Sequence, residues 1–361
     1  MWNLKFAICV VKGKCGFMRF MKTNELTDGM IVGKPIYNEQ FQVLQREKTF
    51  LDHDMIMQLK LMNYSGIYIL DDFSKDVDFR EMLSEEARYE IKKHLDHMRM
   101  YPNDMVTMRD LDRCIDSLTD TILLTPLADI INFSDLYYKH EYNDTHCINV
   151  AILAGLIGRK LEFERFLLKD LIKSALLHDM GKFAIPNEIL EKPGRLTVSE
   201  YELVKQAPMA GYNMFAGNAF VNSIVKTGLL QHHERFDGSG YPQGLQGEEI
   251  SVFGRIIAIA DVFDALISDR PFRKANAPVD AIRYLLEDRG QFDMNLVEYF
   301  LWCVVPYPNG TTIKLTDGRD ALVLHNYVEE PMRPKVKVIP TGEIVDLKED
   351  EQYQTTSIVL V

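Results

Sequence analysis

A chain of 361 residues, 47% hydrophobic and 26% charged, holds enough apolar material for two or three cored units and excludes wholesale disorder. Its formal charge of -12 excludes a broad basic face of the kind that binds DNA, so a site for an anionic substrate must carry its own local cations. No run approaches the ~20 apolar residues of a membrane span. Cys9, Cys15, Cys114, Cys147 and Cys303 form no CxxC pair, so the expectation is a reducing, cytoplasmic setting without membrane insertion.

In chain order, residues 1–20 read as an N-terminal extension. The apolar run Phe6–Val11 is too short for a signal peptide, and Lys12 and Lys14 follow it directly. Residues 21–80 read as a small α+β module. Met30-Ile31-Val32 and Gln42-Val43-Leu44 are strand-like runs around the polar turn Asn38-Glu39-Gln40, followed by a helix near Asp54–Met62 and a strand at Gly66–Leu70. Residues 81–138 form a charged helical connector with a break at Met100–Asp104, where Pro102 interrupts the pattern. Helices of this composition either pair in a homodimer or stand as a solvated connector.

Residues 139–308 carry helical apolar spacing throughout, which makes the fold class mainly α. Asn143-Asp144 precede a helix through Val150, Leu153 and Ile157 to Arg159, and a second helix spans Phe163 to about Met180. Thr197 and Glu200 make a capping-box pattern for a third, expected to end at Pro208, and another runs from Gly254 to Ser268. Beyond Pro308 the period changes to two. Thr312–Leu315 and Ala321–Leu324 flank the hairpin signal Thr316-Asp317-Gly318, and Val336–Ile339 and Ile344–Leu347 flank Thr341-Gly342, giving a β-rich appendage over residues 309–361.

The chemistry concentrates in His146, His178-Asp179, His232-His233 and Asp261, each on or beside a predicted helix of residues 139–308. Taken singly, each has an ordinary use as a cap, a core histidine or a surface turn. Together they do not. Ala175-Leu176-Leu177-His178-Asp179 sets an ionisable pair directly after an apolar helical run, and buried charge is costly unless paired or metal-bound. A carboxylate can bridge two cations while its neighbouring imidazole holds one, and this donor mixture suits iron, manganese, nickel or zinc.

These residues lie within longer motifs: His178-Asp179, then His232-His233-Glu234-Arg235-Phe236-Asp237-Gly238-Ser239-Gly240-Tyr241-Pro242, then Asp261-Val262-Phe263-Asp264-Ala265-Leu266. Ile185–Leu190, Lys192-Pro193-Gly194 and Asp269-Arg270-Pro271-Phe272-Arg273 extend them. The ordered composite, over about His140 to Val304, resembles the HD-GYP family of cyclic di-GMP phosphodiesterases. The resemblance implies an all-helical HD-type domain holding two divalent metal ions, iron or manganese ahead of magnesium, nickel or zinc. By position, His146, His178, Asp179 and Asp261 would hold the first ion, and Asp179, His232 and His233 the second. Asp179 and Lys182 would be catalytic, and Lys182, Arg270 and Arg273 would bind phosphate or guanine, their alternative being exposed basic residues. Tyr241 would stack on a base or serve packing. The implied reaction is attack by a metal-bound hydroxide on cyclic di-GMP to give linear pGpG, with either pGpG or GMP as the end product, and the implied protein partner is a GGDEF-type diguanylate cyclase domain.

The chain departs from the family pattern at two positions. Where the family carries a His-Pro pair that supplies a ligand to the second ion, this sequence reads Gln206-Ala207-Pro208, and a methyl group donates nothing. Gln206 would point about 100° away on a helix. The second site is therefore expected to be weakened, which opens the alternative of a catalytically weak cyclic di-GMP receptor or scaffold. Four residues before His146 stands Tyr142 rather than the Glu that supports a third ion in some members, so no third ion is expected.

Overall fold

The structure is a computed structural model that describes residues 18–38, 41–62, 64, 66–77, 81–126, 142–190, 192, 194–268, 275–287 and 290–359, with the backbone alone at 142–145. The described residues divide into two units, one within Val10–Met82 and Val304–Val361, the other within Leu83–Thr125 and Glu141–Cys303.

The first of these is β-rich. Strand β1 (Met18–Lys22) and strand β2 (Ile31–Val32) flank β5 (Gly66–Leu70) in an antiparallel sheet, with Phe20 opposite Tyr68 and Val32 opposite Ile69. Strands β3 (Ile36–Tyr37) and β4 (Val43–Gln45) pair separately. Helix α1 (His53–Leu61) starts at Asp52, whose side chain accepts from the Met55 amide, and buries Ile56 and Leu59 against Val32, Ile67 and Ile69. Strands β6 (Thr312–Lys314), β7 (Asp320–His325), β8 (Lys335–Ile339) and β9 (Ile344–Asp346) form an antiparallel meander. Leu322 and Leu324 of β7 share a buried cluster with Met18, Tyr68 and Val77, so segments from opposite ends of the chain build one core.

The other unit is helical. Helices α2 (Glu85–Met100) and α3 (Met105–Leu124) are separated at Tyr101–Asp104, and both pack onto α4 (Tyr142–Lys160). Helix α3 also meets α5 (Arg165–Leu177) through a ladder of charges. Lys169 reaches Asp112 and Asp116 at 2.7 Å each, Lys173 reaches Asp112 at 2.5 Å, and Arg165 reaches Asp120 at 2.8 Å. Partners four residues apart on each helix put both stripes on facing sides. The short α6 (Asn187–Leu190) leads to α7 (Val198–Val204), which opens with the expected capping box of Thr197 and Glu200.

That third helix does not run on to Pro208. It stops at Val204, and α8 (Ala207–Met214) begins afresh with Pro208 in its first turn, where a missing N–H costs nothing. Helix α9 (Ser223–Gln231) is capped by Asn222, α10 (Val252–Ile267) by Ser251, and α11 (Pro278–Glu287) and α12 (Met294–Leu301) close the unit. The second expected helix ends at Leu177 rather than Met180, because the chain turns at His178-Asp179 into a single 3-10 stretch, Met180–Ala184. The molecule is thus mainly α, with small N-terminal strands and a C-terminal sheet. None of the described helices is long and apolar enough to cross a membrane.

Candidate metal centre

Two helix ends define the centre. His178 caps the C-terminus of α5 and His232 caps the C-terminus of α9. Each ring turns back along its own helix so that Nδ1 meets the carbonyl three residues earlier, Ala175 at 2.6 Å and Leu229 at 2.7 Å. Carbonyls of a last helical turn lack intrahelical partners, so each ring satisfies one. With the N–H at Nδ1, the lone pair sits on Nε2, and the negative end of each helix dipole faces the same place. Both Nε2 atoms are buried and have no hydrogen-bond partner among the described residues. An orphaned imidazole lone pair beside carboxylates is what a cation would satisfy.

The other donors come from helix interiors. His146 of α4 and Asp261 of α10 are almost fully buried, and Asp261 Oδ1 lies 3.0 Å from His146 Nε2 and 3.9 Å from His178 Nε2. Asp179 faces two ways. Its Oδ2 is 3.5 Å from His178 Nε2 and 3.8 Å from His146 Nε2, while its Oδ1 is 4.0 Å from His232 Nε2. His233 completes the set with Nδ1 3.9 Å from Asp261 Oδ2. Donors held roughly 2.1 Å from one cation stand about 3.0–3.5 Å apart, so these separations fit ligands around ions after slight contraction. Two groups, His146-His178-Asp179 and Asp179-His232-His233, have spacings that could each hold an ion.

The protonation of these groups follows from their surroundings. Burial lowers His178, lowers His232 further with help from its histidine neighbours, and takes His233 down to about 4. All three are then neutral imidazoles at neutral pH, the form that binds metal. His146 goes the other way. Burial would lower it, but hydrogen bonding to Asp261 and Asp264 outweighs that and lifts it to about 9. Burial would raise both Asp179 and Asp261, yet adjacent imidazoles, with Lys182 beside Asp179, hold both carboxyls well below the usual carboxylate range.

All six sequence-derived ligand candidates, His146, His178, Asp179, His232, His233 and Asp261, therefore converge. Lys182 also arrives, its Nζ 2.6 Å from Asp179 Oδ2. Tyr241 lies on the rim with its ring centroid 4.9 Å from that of His233. Arg270 and Arg273 lie outside the described residues, as does the side chain of Tyr142. Ala207 begins α8 and is buried, while Gln206 is exposed and offers no substitute ligand. The start of α8 presses on the turn after Asp179. A Cβ at Gly181 would lie 1.9 Å from the Ala207 carbonyl oxygen, so only glycine fits there.

Other residues of the centre stand outside the six candidate ligands, although Asp264 and Glu234 lie within the motifs that carry them. Asp264 Oδ2 is 2.6 Å from His146 Nδ1, and Asn149 donates to Asp264 Oδ1 at 2.9 Å. Each stands three residues from a ligand on the same helix, which puts it on the same face, and that spacing is the signal that was available. Glu234, also buried, accepts from the amides of Gln243 at 2.7 Å and Leu245 at 3.1 Å, folding the loop around Tyr241 against His233. Gly240 lets that loop close, because a Cβ there would come within 2.3 Å of the Arg235 nitrogen.

A helical scaffold, buried histidines at helix ends and a shared aspartate make a candidate metal centre, whose two donor groups could each hold an ion. Residues 127–296 match the family model described as HD domain. A cyclic di-GMP phosphodiesterase of Pseudomonas aeruginosa is 38% identical over 224 residues, covering 62% of this chain and 54% of that protein. The cyclic di-GMP phosphodiesterase response regulator RpfG of Xanthomonas campestris is 44% identical over 153 residues, covering 41% of this chain and 40% of that protein. This chain therefore spans about half the length of these curated relatives. A solved HDG"Y"P protein from Bdellovibrio bacteriovorus aligns over 78% of this chain and 98% of its own, with a TM-score of 0.50 at 16% identity, which speaks to the fold. Residues 127–296 thus match the HD domain family model, and the relatives they resemble are cyclic di-GMP phosphodiesterases.

Proposed function

We propose that this protein is a metal-dependent phosphodiesterase that hydrolyses cyclic di-GMP to linear pGpG. The observation that carries the reading is the two-way placement of Asp179, one oxygen toward His146 and His178 and the other toward His232, so that one carboxylate spans two donor groups. His146, His178, Asp179 and Asp261 would hold one divalent cation and Asp179, His232 and His233 another. Such ions, iron or manganese on this donor set, supply a nucleophilic water near neutral pH and neutralise charge on phosphate oxygens.

The chain's own groups do the rest. His178 and His232 keep their lone pairs aimed inward because their N–H groups are already committed to helix carbonyls. Lys182 sits where an anionic substrate must approach two aspartates, and its ammonium offsets that repulsion. Tyr241 presents a ring beside His233 for a guanine base, and Glu234 fixes the loop that carries it. These roles supply the local cations and base-binding surface that a chain of net charge -12 requires.

The test is turnover of cyclic di-GMP by protein loaded with manganese or iron under reducing conditions, with products separated by chromatography. Linear pGpG is the expected product, and failure of fully metallated protein to turn over would overturn the reading. A second reading rests on Ala207, whose methyl stands where an imidazole ligand is expected: a receptor that binds cyclic di-GMP without hydrolysing it. Binding at full metal occupancy with no product, converted to turnover by Ala207→His, would select it.

A further inference from the structure

We propose that Arg88, on α2, is a positioning residue for the metal centre and acts on His146 through Asn149 and Asp264. This rests on the reading that His146 holds a metal ion. Three successive polar contacts, all between buried side chains, make the connection. Arg88 Nη1 donates to Asn149 Oδ1 at 3.2 Å, Asn149 Nδ2 donates to Asp264 Oδ1 at 2.9 Å, and Asp264 Oδ2 lies 2.6 Å from His146 Nδ1. Arg88 is 8% exposed, Asn149 1% and Asp264 0%.

The chemistry of the chain of contacts is directional. A carboxylate only accepts and a guanidinium only donates, so an amide between them has one workable orientation, with its NH₂ to Asp264 and its oxygen to Arg88. Reversing Asn149 would set oxygen against oxygen and N–H against N–H. The locked amide holds both Asp264 oxygens in place, one on Asn149 and one on the imidazole. His146 must then carry its proton on Nδ1 and offer Nε2 to the site. The other two inward-facing rings are held differently, because His178 and His232 donate to neutral carbonyls of their own helices. A carboxylate partner makes an imidazole a stronger donor to metal than a carbonyl does. Helix α2 lies outside the stretch matching the HD domain model, so a segment beyond that stretch contributes to the centre.

The experiment titrates metal-stripped full-length protein with Mn(II) against a competing chelator, for wild type, Arg88→Met, Asp264→Asn and the double variant. Asp264→Asn is expected to weaken the tighter step roughly 10–100-fold, the range for losing a partner of a ligating histidine. Arg88→Met is expected to weaken it about 10-fold, and the double variant to bind no worse than Asp264→Asn alone, because the route is already cut. Effects that multiply, or an Arg88→Met protein that binds like wild type, would overturn the relay. Should Arg88→Met not fold, Arg88→Gln in zinc-loaded form takes its place, read by the Nδ1–H proton resonance of His146. A shifted resonance with weaker binding supports the relay, and an unchanged resonance overturns it. Wild type that binds no Mn(II) would instead overturn the metal reading itself, which keeps the two failures distinct.

Discussion

The two halves of the centre are built to different standards. On the side of His146, His178 and Asp261, ligands project from α4, α5 and α10, and the imidazole and carboxylate of His146 and Asp261 already stand 3.0 Å apart. On the side of His232 and His233, the distance from His232 to Asp179 is 4.0 Å and His233 is partly exposed at the edge of a loop, while the resemblance predicts an imidazole where this chain has Ala207. A site on packed helices is held by its scaffold, whereas a site that borrows from a loop depends on each ligand it has. The first half should therefore bind its ion tightly and the second weakly, with Asp179 the joint between them.

The largest expected effect comes from removing that joint. Asp179→Ala should lower turnover roughly a thousandfold or more, the loss of several kcal/mol of transition-state stabilisation, and should depress metal content in both halves. Metal analysis beside the hydrolysis assay checks it. Next comes the contrast between halves. His146→Ala should weaken the tighter of two Mn(II) steps by at least about 100-fold, while His232→Ala should remove the weaker step and leave the tighter one within a few fold. Equal damage from both, measured by chelator competition, would break the comparison. Ala207→His should sharpen it from the other direction, tightening the weaker step about 10-fold and leaving the first unchanged.

The smallest effect belongs to the scaffold. Asp112 joins Lys169 and Lys173 across α3 and α5, and although burial would raise its carboxyl, those two hydrogen bonds lower it overall. A carboxylate depressed on folding stabilises the fold above its unfolded value near 4 and loses that contribution as pH falls through the folded value. Asp112→Asn should thus cost about 1 kcal/mol in urea unfolding at pH 7, with the difference from wild type vanishing in acid, and should move neither Mn(II) step.

The same contrast explains what the sequence made legible. The ligand set was readable because each half is announced by consecutive residues, His178-Asp179 and His232-His233, at the end of an apolar helical run, within a long motif of ordered spacing. Helix periods and the Thr197 capping box were readable because they are local. The parts that stayed hidden depend on distance along the chain. Asp264 lies within the Asp261–Leu266 motif, but its contact with His146 emerges only when α4 is folded beside α10, and the role of Arg88 only when α2 reaches Asn149. Strand β1 acquires its meaning only from register with β5, forty-odd residues later, and the core shared by Met18, Tyr68, Leu322 and Leu324 has no local signature. Pro208 reads as a stop because proline breaks helices, yet in a first turn it starts one.

The number and ranking of the ions follow most directly from the two unequal halves of the centre. Metal-stripped protein titrated with Mn(II) and followed by electron paramagnetic resonance should show two steps, a tight first equivalent and a weaker second one that spin-couples to it through the shared Asp179 carboxylate. A single uncoupled equivalent that His232→Ala leaves unchanged, even with excess metal present, would contradict it.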